Sequence, residues 1–265
     1  MNILLIIGDH LRHKKFLEIL SNKINISAVI IEKRENIRPD HNFIKNKIDK
    51  NNFIRHFKNR ETSEKKYFKL ESKKIDKNKI ILIDNIKKNQ YLLKKIIKKI
   101  KPDVVFTFGV SLIPHALLRF MPKYSINLHS GLAPYYKGTA CNFWPFSFLE
   151  PNWAGMTFHL ISKKLDSGSV IHHTIPKLNI KDKIHDVSCK VQLKSFKDSL
   201  KIINMIKNKK IKEHKIEAVG KLFLKKDFKP EHLRVIYNLY NNNIVKMYLK
   251  NKLIKTKPKT VSIYD

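Results

Sequence analysis

Alternating blocks of apolar and charged residues divide the N-terminal half of the chain into predicted strands and helices. Residues 2–8 form a continuous apolar run that ends at Gly8, and residues 13–20 then carry apolar side chains at helical spacing. A second apolar run follows at 24–31. A strand, a helix and a strand in this order predict a βαβ unit. The pattern therefore indicates an α/β fold with a doubly wound, mostly parallel sheet.

Apolar runs and helical patterns continue to alternate further along the chain. Strands are predicted at 80–83, 103–108, 124–128, 155–161 and 169–175, and helices at 89–100, 114–120, 140–149 and 184–206. No G-x-G-x-x-G sequence follows the first strand. A dinucleotide cofactor is therefore not supported.

Two stretches depart from this alternation. Residues 32–79 are rich in charge and carry apolar residues at helical intervals, which predicts one or two amphipathic helices with a solvated, lysine-rich surface. Near the C-terminus the pattern predicts an edge strand at 220–228 and a helix at 230–240. We therefore expect one main domain over 1–207 and a small C-terminal extension over 208–265. Its edge strand is compatible with a homodimer.

The chain is strongly basic, with 55 lysines and arginines against 22 acidic residues and a formal net charge of +33. Such a charge invites nucleic-acid binding, because lysines attract phosphates. The lysines, however, are spread from Lys14 to Lys259 rather than gathered beside aromatic residues. We favour a compositional origin and expect no nucleic-acid partner. A basic RNA-binding protein is the non-enzymatic alternative, and an anionic substrate fits both interpretations.

Apolar segments and cysteines bear on where the protein resides. No apolar run approaches the length of a membrane-spanning helix, and the apolar start lacks the basic leader of a signal peptide. The two cysteines, Cys141 and Cys189, lie far apart and without C-x-x-C spacing. These features predict a cytoplasmic protein with no disulfide framework, no structural metal and no membrane insertion.

The stretch from Phe106 to Ile171 holds the residues most suited to chemistry. It contains five of the seven glycines and both tryptophans. Asn127 and His129 are two residues apart at the end of a predicted strand, so they share one face, and Asp166 lies in a glycine turn. An amide can donate to an oxyanion, an imidazole can exchange a proton, and a carboxylate can orient the imidazole. On its own, an Asn-x-His at a strand end is more often structural than catalytic.

Three separated motifs in a fixed order change that assessment. They are Asn127-Leu-His129, Leu132-x-Pro134-x-Tyr136-x-Gly138 and Leu165-Asp166-x-Gly168-x-Val170-Ile171. In this order and spacing they resemble the formyltransferase family, which transfers a formyl group from 10-formyltetrahydrofolate to an amine. The resemblance implies a Rossmann-like catalytic core over 1–207. One departure is Lys137, where many members carry an arginine; the charge is kept but the planar bidentate fork is lost.

The resemblance also implies roles for individual residues. Asn127, His129 and Asp166 would be the catalytic residues. The pterin of 10-formyltetrahydrofolate would bind among the backbone groups of Phe108, Gly109, Val110, Ser111, Leu112 and Ile113, and no metal is required. The amine substrate would meet His10, Tyr136, Lys137, Asn142 and Trp144. For His10 a polar turn is the favoured alternative, and for Trp144 core packing is an equally good one.

The family acts on several amines, and the residues favour one class. Methionyl-tRNA enzymes usually add a complete β-barrel domain, which we do not expect from residues 208–265, and the glycinamide ribonucleotide enzyme lacks the lysine-rich insertion. The Asn142-Phe-Trp-Pro145 segment and the Gly8-Asp-His10 turn look like amino-sugar N-formyltransferases of surface-polysaccharide pathways. We therefore predict formyl transfer to a GDP- or dTDP-linked amino-dideoxy sugar resembling GDP-perosamine, as in lipopolysaccharide O-antigen biosynthesis. Methionyl-tRNA formyltransferase and formyltetrahydrofolate hydrolase are the alternative enzymes.

Overall fold

The computed structural model describes residues 1–71, 76–218 and 220–265. Seven strands form the main sheet: β1 (Ile3–Gly8), β2 (Ala28–Glu32), β3 (Ile80–Ile83), β4 (Val104–Phe108), β5 (Tyr124–His129), β7 (Met156–Leu160) and β8 (Val170–Thr174). Two short strands pair separately: β6 (Tyr136–Gly138) and β9 (Lys221–Phe223). The helices are α1 (Leu11–Ser21), α2 (Lys47–Tyr67), α3 (Gln90–Ile100), α4 (His115–Leu118), α5 (Trp144–Ser147), α6 (Ile184–Lys207) and α7 (Ile244–Leu249).

The main sheet is doubly wound and mostly parallel, which confirms the predicted fold class. Its strand order is β3-β2-β1-β4-β5-β7-β8. The chain builds β1, β2 and β3 outward in one direction and then β4 and β5 in the other, all parallel. β7 and β8 complete the sheet as an antiparallel hairpin beside β5. The order reverses between β1 and β4, and ligands of open α/β sheets bind at the carboxyl ends of strands near such a reversal.

Helices cover both faces of this sheet, because every residue of β1, β2 and β4 is buried and must meet apolar side chains on two sides. On one face Phe16 of α1 and Phe196 of α6 pack with Phe108 of β4. On the other face the inward side chains of α3, including Leu93 and Ile97, cover the opposite side of β1. The predicted strand and helix positions before residue 130 agree with these elements.

The charged insertion contributes to the protein interior. The predicted amphipathic helix exists as α2, and Asn46 caps it by accepting hydrogen bonds from the N–H groups of Ile48 and Asp49. Phe53 of α2 is buried, and Asp49 forms a bidentate pair with Arg234 of the C-terminal extension at 2.7 Å. The buried Phe53 agrees with the predicted amphipathic helix, in which it is one of the apolar residues at helical spacing. Residues 72–75 of that prediction lie outside the described ranges.

Three predicted elements differ from the structure. The helix expected at 140–149 shrinks to α5, because Ala140 and Leu149 adopt left-handed backbone conformations that an α-helix does not accept. The strand expected at 220–228 ends after Phe223, where Asp227 accepts a hydrogen bond from the N–H of Leu224 and closes a turn. The helix expected at 230–240 is a 3₁₀ turn followed by a π-helical segment.

The C-terminal extension packs against the segment that follows β5. Its strand β9 pairs in parallel with β6 of the same chain in a separate two-stranded sheet. Nearer the C-terminus, Tyr264 donates a hydrogen bond to Asp198 of α6, and Trp153 donates one to Thr256. Among the helices described here, none combines the length and apolar character needed to cross a membrane.

Candidate functional site

The carboxyl end of β5 places Asn127 and His129 beside the strand β7. Antiparallel pairing sets Asn127 opposite His159 and His129 opposite Thr157. Asp166 comes from the turn between β7 and β8 and adopts a left-handed backbone conformation, with φ of +46°. The structure therefore brings together the three residues that the sequence predicted as catalytic.

Hydrogen bonds determine how the Asn127 amide is oriented. Its oxygen accepts a hydrogen bond from the Thr107 hydroxyl at 2.8 Å. Its nitrogen lies 3.1 Å from His159 Nε2 and 3.3 Å from Asp166 Oδ1. Because a carbonyl only accepts, the contact of 2.9 Å between His159 Nδ1 and the Leu160 oxygen puts the proton of neutral His159 on Nδ1. In that neutral ring Nε2 of His159 can accept from Asn127, and the amide N–H₂ group is held on the side of Asp166. The same Nε2 lies 3.3 Å from Asp166 Oδ1, to which a protonated His159 would donate instead.

His129 is held between a backbone carbonyl and the Asp166 carboxylate. Its Nε2 lies 2.9 Å from the Tyr136 oxygen, and its Nδ1 lies 3.4 Å from Asp166 Oδ2. The Tyr136 carbonyl can only accept, so Nε2 carries the proton of the neutral ring. Nδ1 then presents its lone pair on the side of Asp166. This nitrogen is the ring atom suited to receive a proton.

Burial and neighbouring groups determine the protonation states of His129 and Asp166 at neutral pH. Desolvation lowers the pKa of His129 below 6.5 and outweighs the opposing effect of the Asp166 carboxylate. Desolvation alone would raise the pKa of Asp166, but the positive charge that His129 and His159 carry when protonated, together with the Gly138 N–H, lowers it well below its usual range. The site therefore holds an ionised Asp166 beside a neutral His129. This is the state needed to accept a proton.

Backbone groups of β6 complete the support of both side chains. Tyr136 supplies the carbonyl that His129 meets, and the N–H of Gly138 donates to Asp166 Oδ2 at 2.8 Å. Gly138 has φ of +89°, a conformation open to glycine, and a Cβ there would collide with the Phe223 carbonyl. The glycine is required by this backbone position.

A cavity of about 340 Å³ opens beside these residues. It is lined by Thr107, Gly109, Val110, Ser111, Leu112, Ile113, Asn127, Leu128, His129, Ser130, Gly138, Thr139, His159, Ile161, Ser162, Lys164, Leu165 and Asp166. The volume falls in the range of small-molecule sites. Five of the six residues predicted to bind the cofactor thus share one cavity with the three predicted catalytic residues.

The loop after β4 is shaped by two buried contacts. Gly109 has φ of +66°, and a Cβ there would collide with the buried ring of His13. The carboxylate of Glu32, which is fully buried, accepts hydrogen bonds from the N–H and the hydroxyl of Ser111 and from the N–H of Ile86 at 2.9 Å. The backbone of this loop is held in one shape that borders the cavity.

The remaining predicted site residues lie around the cavity rather than on its lining. Phe108 is buried against His13 and Phe16. The His10 ring lies 2.7 Å from the Glu35 carbonyl and 2.8 Å from an Arg12 nitrogen.

The predicted amine-side residues after β5 belong mainly to a second apolar cluster. Tyr136 and Trp144 are buried in it, and the Trp144 indole N–H donates to the Thr139 carbonyl. Asn142 is buried, with its amide nitrogen 3.7 Å from Met156 sulfur. Lys137 pairs with Leu222 in the β6–β9 ladder. Their expected contact with a substrate stays a prediction.

Sequence reasoning missed three residues of the site: Thr107, His159 and Glu32. His159 carried a usable signal, because it lies in a strand with alternating character beside a predicted hairpin turn. Pairing that strand with β5 places it opposite Asn127. Thr107 and Glu32 read as ordinary strand residues, and only the parallel registers of the sheet show where they point. Within the described ranges, no group of three or more His, Cys, Asp or Glu side chains is arranged to hold a metal ion.

Comparisons with known proteins identify the family of this chain. The family model described as Formyl transferase matches residues 26–199. The bifunctional polymyxin resistance protein ArnA of Wigglesworthia glossinidia brevipalpis is 33% identical over 157 residues, which cover 57% of this chain and 23% of that protein. The chain thus spans less than a quarter of the length of this relative.

Solved structures share the fold. A 4-N formyltransferase from Francisella tularensis aligns with a TM-score of 0.55 and 22% identity over 85% of this chain and 77% of that chain. The N-formyltransferase from Helicobacter canadensis, solved with folinic acid and dTDP-3-aminofucose, aligns with a TM-score of 0.54 and 19% identity over 95% of this chain and 82% of that one. Because the family match covers more than half of the sequence and includes Asn127, His129 and Asp166, the chain belongs to the formyl transferase family.

Proposed function

We propose that the protein transfers a formyl group from 10-formyltetrahydrofolate to the amine of a nucleotide-linked amino sugar. The observation that carries the proposal is the meeting of Asn127, His129 and Asp166 at one cavity of a formyl transferase fold. These side chains offer a hydrogen-bond donor, a neutral imidazole and an ionised carboxylate within reach of one another. Such groups accelerate acyl transfer to an amine by proton transfer and by stabilising the oxyanion.

The proposed reaction forms a bond between the amine nitrogen and the formyl carbon. The proton that the amine loses passes to His129 Nδ1 or to Asp166, whose Oδ2 lies 3.4 Å from that nitrogen. The carbonyl oxygen becomes an oxyanion, which the Asn127 amide would stabilise together with His129 once that ring has received the proton. When the tetrahedral intermediate collapses, the bond to N10 of tetrahydrofolate breaks and the proton passes to that nitrogen. Oxyanion donation and proton transfer are each worth about two to four orders of magnitude.

The folate would bind along the loop after β4. Residues 109–113 border the cavity and present backbone N–H and carbonyl groups, which suit the donor and acceptor edge of a pterin. The buried contacts of Gly109 and Ser111 hold this loop in shape before any ligand arrives. The fit therefore rests on a preformed backbone cradle rather than on charged side chains.

A nucleotide-linked amino sugar is the proposed amine substrate. The Helicobacter canadensis protein, whose structure contains folinic acid and dTDP-3-aminofucose, shares the fold over most of both chains. Its combination of a folate and a nucleotide sugar supports the same pairing for this chain. We propose a GDP- or dTDP-linked amino-dideoxy sugar as substrate, a role in O-antigen biosynthesis, a cytoplasmic location and possible assembly as a homodimer.

A panel assay tests the proposal. The protein is incubated with 10-formyltetrahydrofolate and nucleotide-linked 3-amino and 4-amino sugars, and both tetrahydrofolate and the formylated sugar are measured. We expect release of both in equal amounts with at least one sugar. Formate release without any amine would instead show a hydrolase, and formylation of charged initiator tRNA would show the methionyl-tRNA enzyme. Either result in the absence of sugar formylation would overturn the proposal.

A further inference from the structure

The short strand β6 lies between the catalytic side chains and the C-terminal extension. Its backbone alternates, so that neighbouring residues direct their polar groups to opposite sides. The Tyr136 carbonyl and the Gly138 N–H contact His129 and Asp166, at 2.9 and 2.8 Å. On the opposite side, β6 is paired with β9.

The bonds to β9 flank the groups that hold the catalytic residues. The N–H of Lys221 donates to the Tyr135 carbonyl at 3.0 Å, and the N–H of Thr139 donates to the Phe223 carbonyl at 2.8 Å. Each of these bonds lies one residue from a contact to His129 or Asp166. A shift of β6 relative to β9 therefore moves both catalytic contacts at once.

Side-chain packing fixes the same pairing. The Phe223 ring is buried between Trp144, at 4.5 Å and 17° between ring planes, and Tyr136, at 6.0 Å and 13°. The backbones of the two segments approach each other too closely for a side chain at either glycine. A Cβ at Gly138 would collide with the Phe223 carbonyl, and one at Gly220 would collide with the Pro134 carbonyl. The two strands are thus in close backbone contact at both ends of the pairing.

We infer that β9 of the C-terminal extension positions His129 and Asp166 through β6, with Phe223 as the positioning residue. This strand lies beyond residues 26–199, the part that matches the formyl transferase family. Residues outside the family match thereby set the geometry of residues within it. The structural part of the inference stands on the contacts alone, and its kinetic consequence rests on the proposed function.

Two variants of the full chain disrupt the contacts by which β9 supports β6, each in a different way. Phe223→Ala removes the stacked ring, and Ile236→Ala is its control, because Ile236 is buried in the same apolar cluster. Lys221→Pro removes the N–H that meets Tyr135, and proline is tolerated at the first residue of a strand. Lys221→Ala is the matched control, since it also loses the exposed lysine but keeps the N–H.

The first readout is the protonated ring nitrogen of His129, measured by ¹H–¹⁵N NMR of histidine-labelled protein and assigned with His129→Gln. We expect the Nε2–H form in the wild type and in both controls, and a mixture of the two neutral forms in Phe223→Ala and Lys221→Pro. This readout needs no formyl transfer, so it remains decisive if the proposed function fails. Folded Phe223→Ala and Lys221→Pro proteins that both keep the wild-type signal would overturn the inference, as would a wild type without the Nε2–H form.

The second readout is steady-state kinetics with the sugar identified by the panel assay. Small displacements of catalytic groups cost rate rather than affinity, so we expect kcat to fall about 10- to 100-fold with little change in KM. The two controls should retain wild-type kcat. Equal losses in Ile236→Ala and Phe223→Ala would instead assign the effect to general destabilisation of the cluster and contradict a positioning role.

Discussion

Asn127 and His159 face each other across the antiparallel strands β5 and β7, with 3.1 Å between Asn127 Nδ2 and His159 Nε2. His159 uses its other ring nitrogen to donate to the Leu160 carbonyl. In the neutral ring Nε2 is therefore an acceptor, and it holds the amide N–H₂ of Asn127 on the side of Asp166 while the hydroxyl of Thr107 holds the amide oxygen. The donor proposed for the oxyanion is oriented by residues outside the predicted triad.

Replacing His159 should weaken this orientation without removing any catalytic group. We expect His159→Phe to lower kcat by up to about tenfold, because one net hydrogen bond is worth about 0.5–1.5 kcal/mol. His159→Gln retains an acceptor and should retain more activity than His159→Phe. Steady-state kinetics of the two variants, with folding checked by circular dichroism, measure the difference. Wild-type kcat in His159→Phe would contradict this role and show that Thr107 and Asp166 are sufficient to orient the Asn127 amide.

Removing the Asn127 amide should lower kcat much more than replacing His159 does. Asn127→Ala deletes the proposed oxyanion donor, and loss of one such donor typically lowers kcat by about 10²–10³-fold. KM should change little, because the interaction develops in the transition state. Asn127 is half-buried, so the variant should fold. A loss confined to KM would move Asn127 from catalysis to substrate binding.

The decrease of kcat/KM at acidic pH, the acid limb of its pH profile, should depend on Asp166. The reactive state has neutral His129 and ionised Asp166, and desolvation lowers the pKa of His129 below 6.5. The limb of kcat/KM that His129 causes should therefore lie below that value, apart from the limb that protonation of the substrate amine causes at higher pH. Asp166→Asn removes the carboxylate that favours the imidazolium, so the His129 pKa and the acid limb should move lower still, and kcat should drop about 10²–10⁴-fold. An acid limb that moves to higher pH in this variant would contradict the proposed coupling.

Much of this arrangement is predictable from local sequence, because buried parallel strands are continuous apolar runs. β3 matches its predicted range in full, and the strand period alone puts Asn127 and His129 on one face. The partner of Asn127 is harder to predict, since the register of β7 against β8 shifts between Phe158 and His159. A register shift of one residue would have turned His159 to the other face.

Other features of the fold cannot be predicted from the local sequence. Ala140 and Leu149 adopt left-handed conformations although neither residue favours them, so the short α5 cannot be anticipated from residue type. The pairing of β9 with β6 joins residues more than eighty positions apart and depends on the whole fold. The predicted edge strand was correct in its residues up to Phe223, and its partner strand was not predicted.

The buried carboxylate of Glu32 should control folate affinity. It accepts from the N–H of Ser111 at 2.7 Å and from the N–H of Ile86 at 2.9 Å. Glu32→Gln replaces one acceptor oxygen with a donor, so the loop at 109–113 should loosen and KM for 10-formyltetrahydrofolate should rise about tenfold, in line with about 1–3 kcal/mol for a buried unsatisfied group. The KM for the amine should stay unchanged.

Calorimetric titration with folinic acid checks the Glu32 prediction directly. Glu35→Gln is the control, because it makes the same chemical change at an exposed carboxylate three residues away. Folinic acid affinity should fall about tenfold in Glu32→Gln and stay unchanged in Glu35→Gln. Equal affinity in both variants would place the folate elsewhere than along this loop.

Buried neutral histidines should make the fold sensitive to acid. Desolvation lowers the pKa of His13, His56, His129, His173 and His185, to about 4 for His173 and about 3 for His185. The unfolded chain protonates these rings near pH 6.5, so it binds more protons than the folded chain below that pH. Their stabilising contribution is therefore complete above pH 6.5 and is lost as the pH falls.

Each such ring should contribute about 1.4 kcal/mol per pH unit to the slope of unfolding free energy between its unfolded and folded pKa values. Urea unfolding at intervals from pH 7.5 to pH 5 measures the slope. His185→Gln removes one titrating ring at a buried position and should make the slope shallower, whereas His115→Gln, at an exposed position, is the matched control. A free energy of unfolding that stays constant over this range would show that the buried rings take up protons without unfolding.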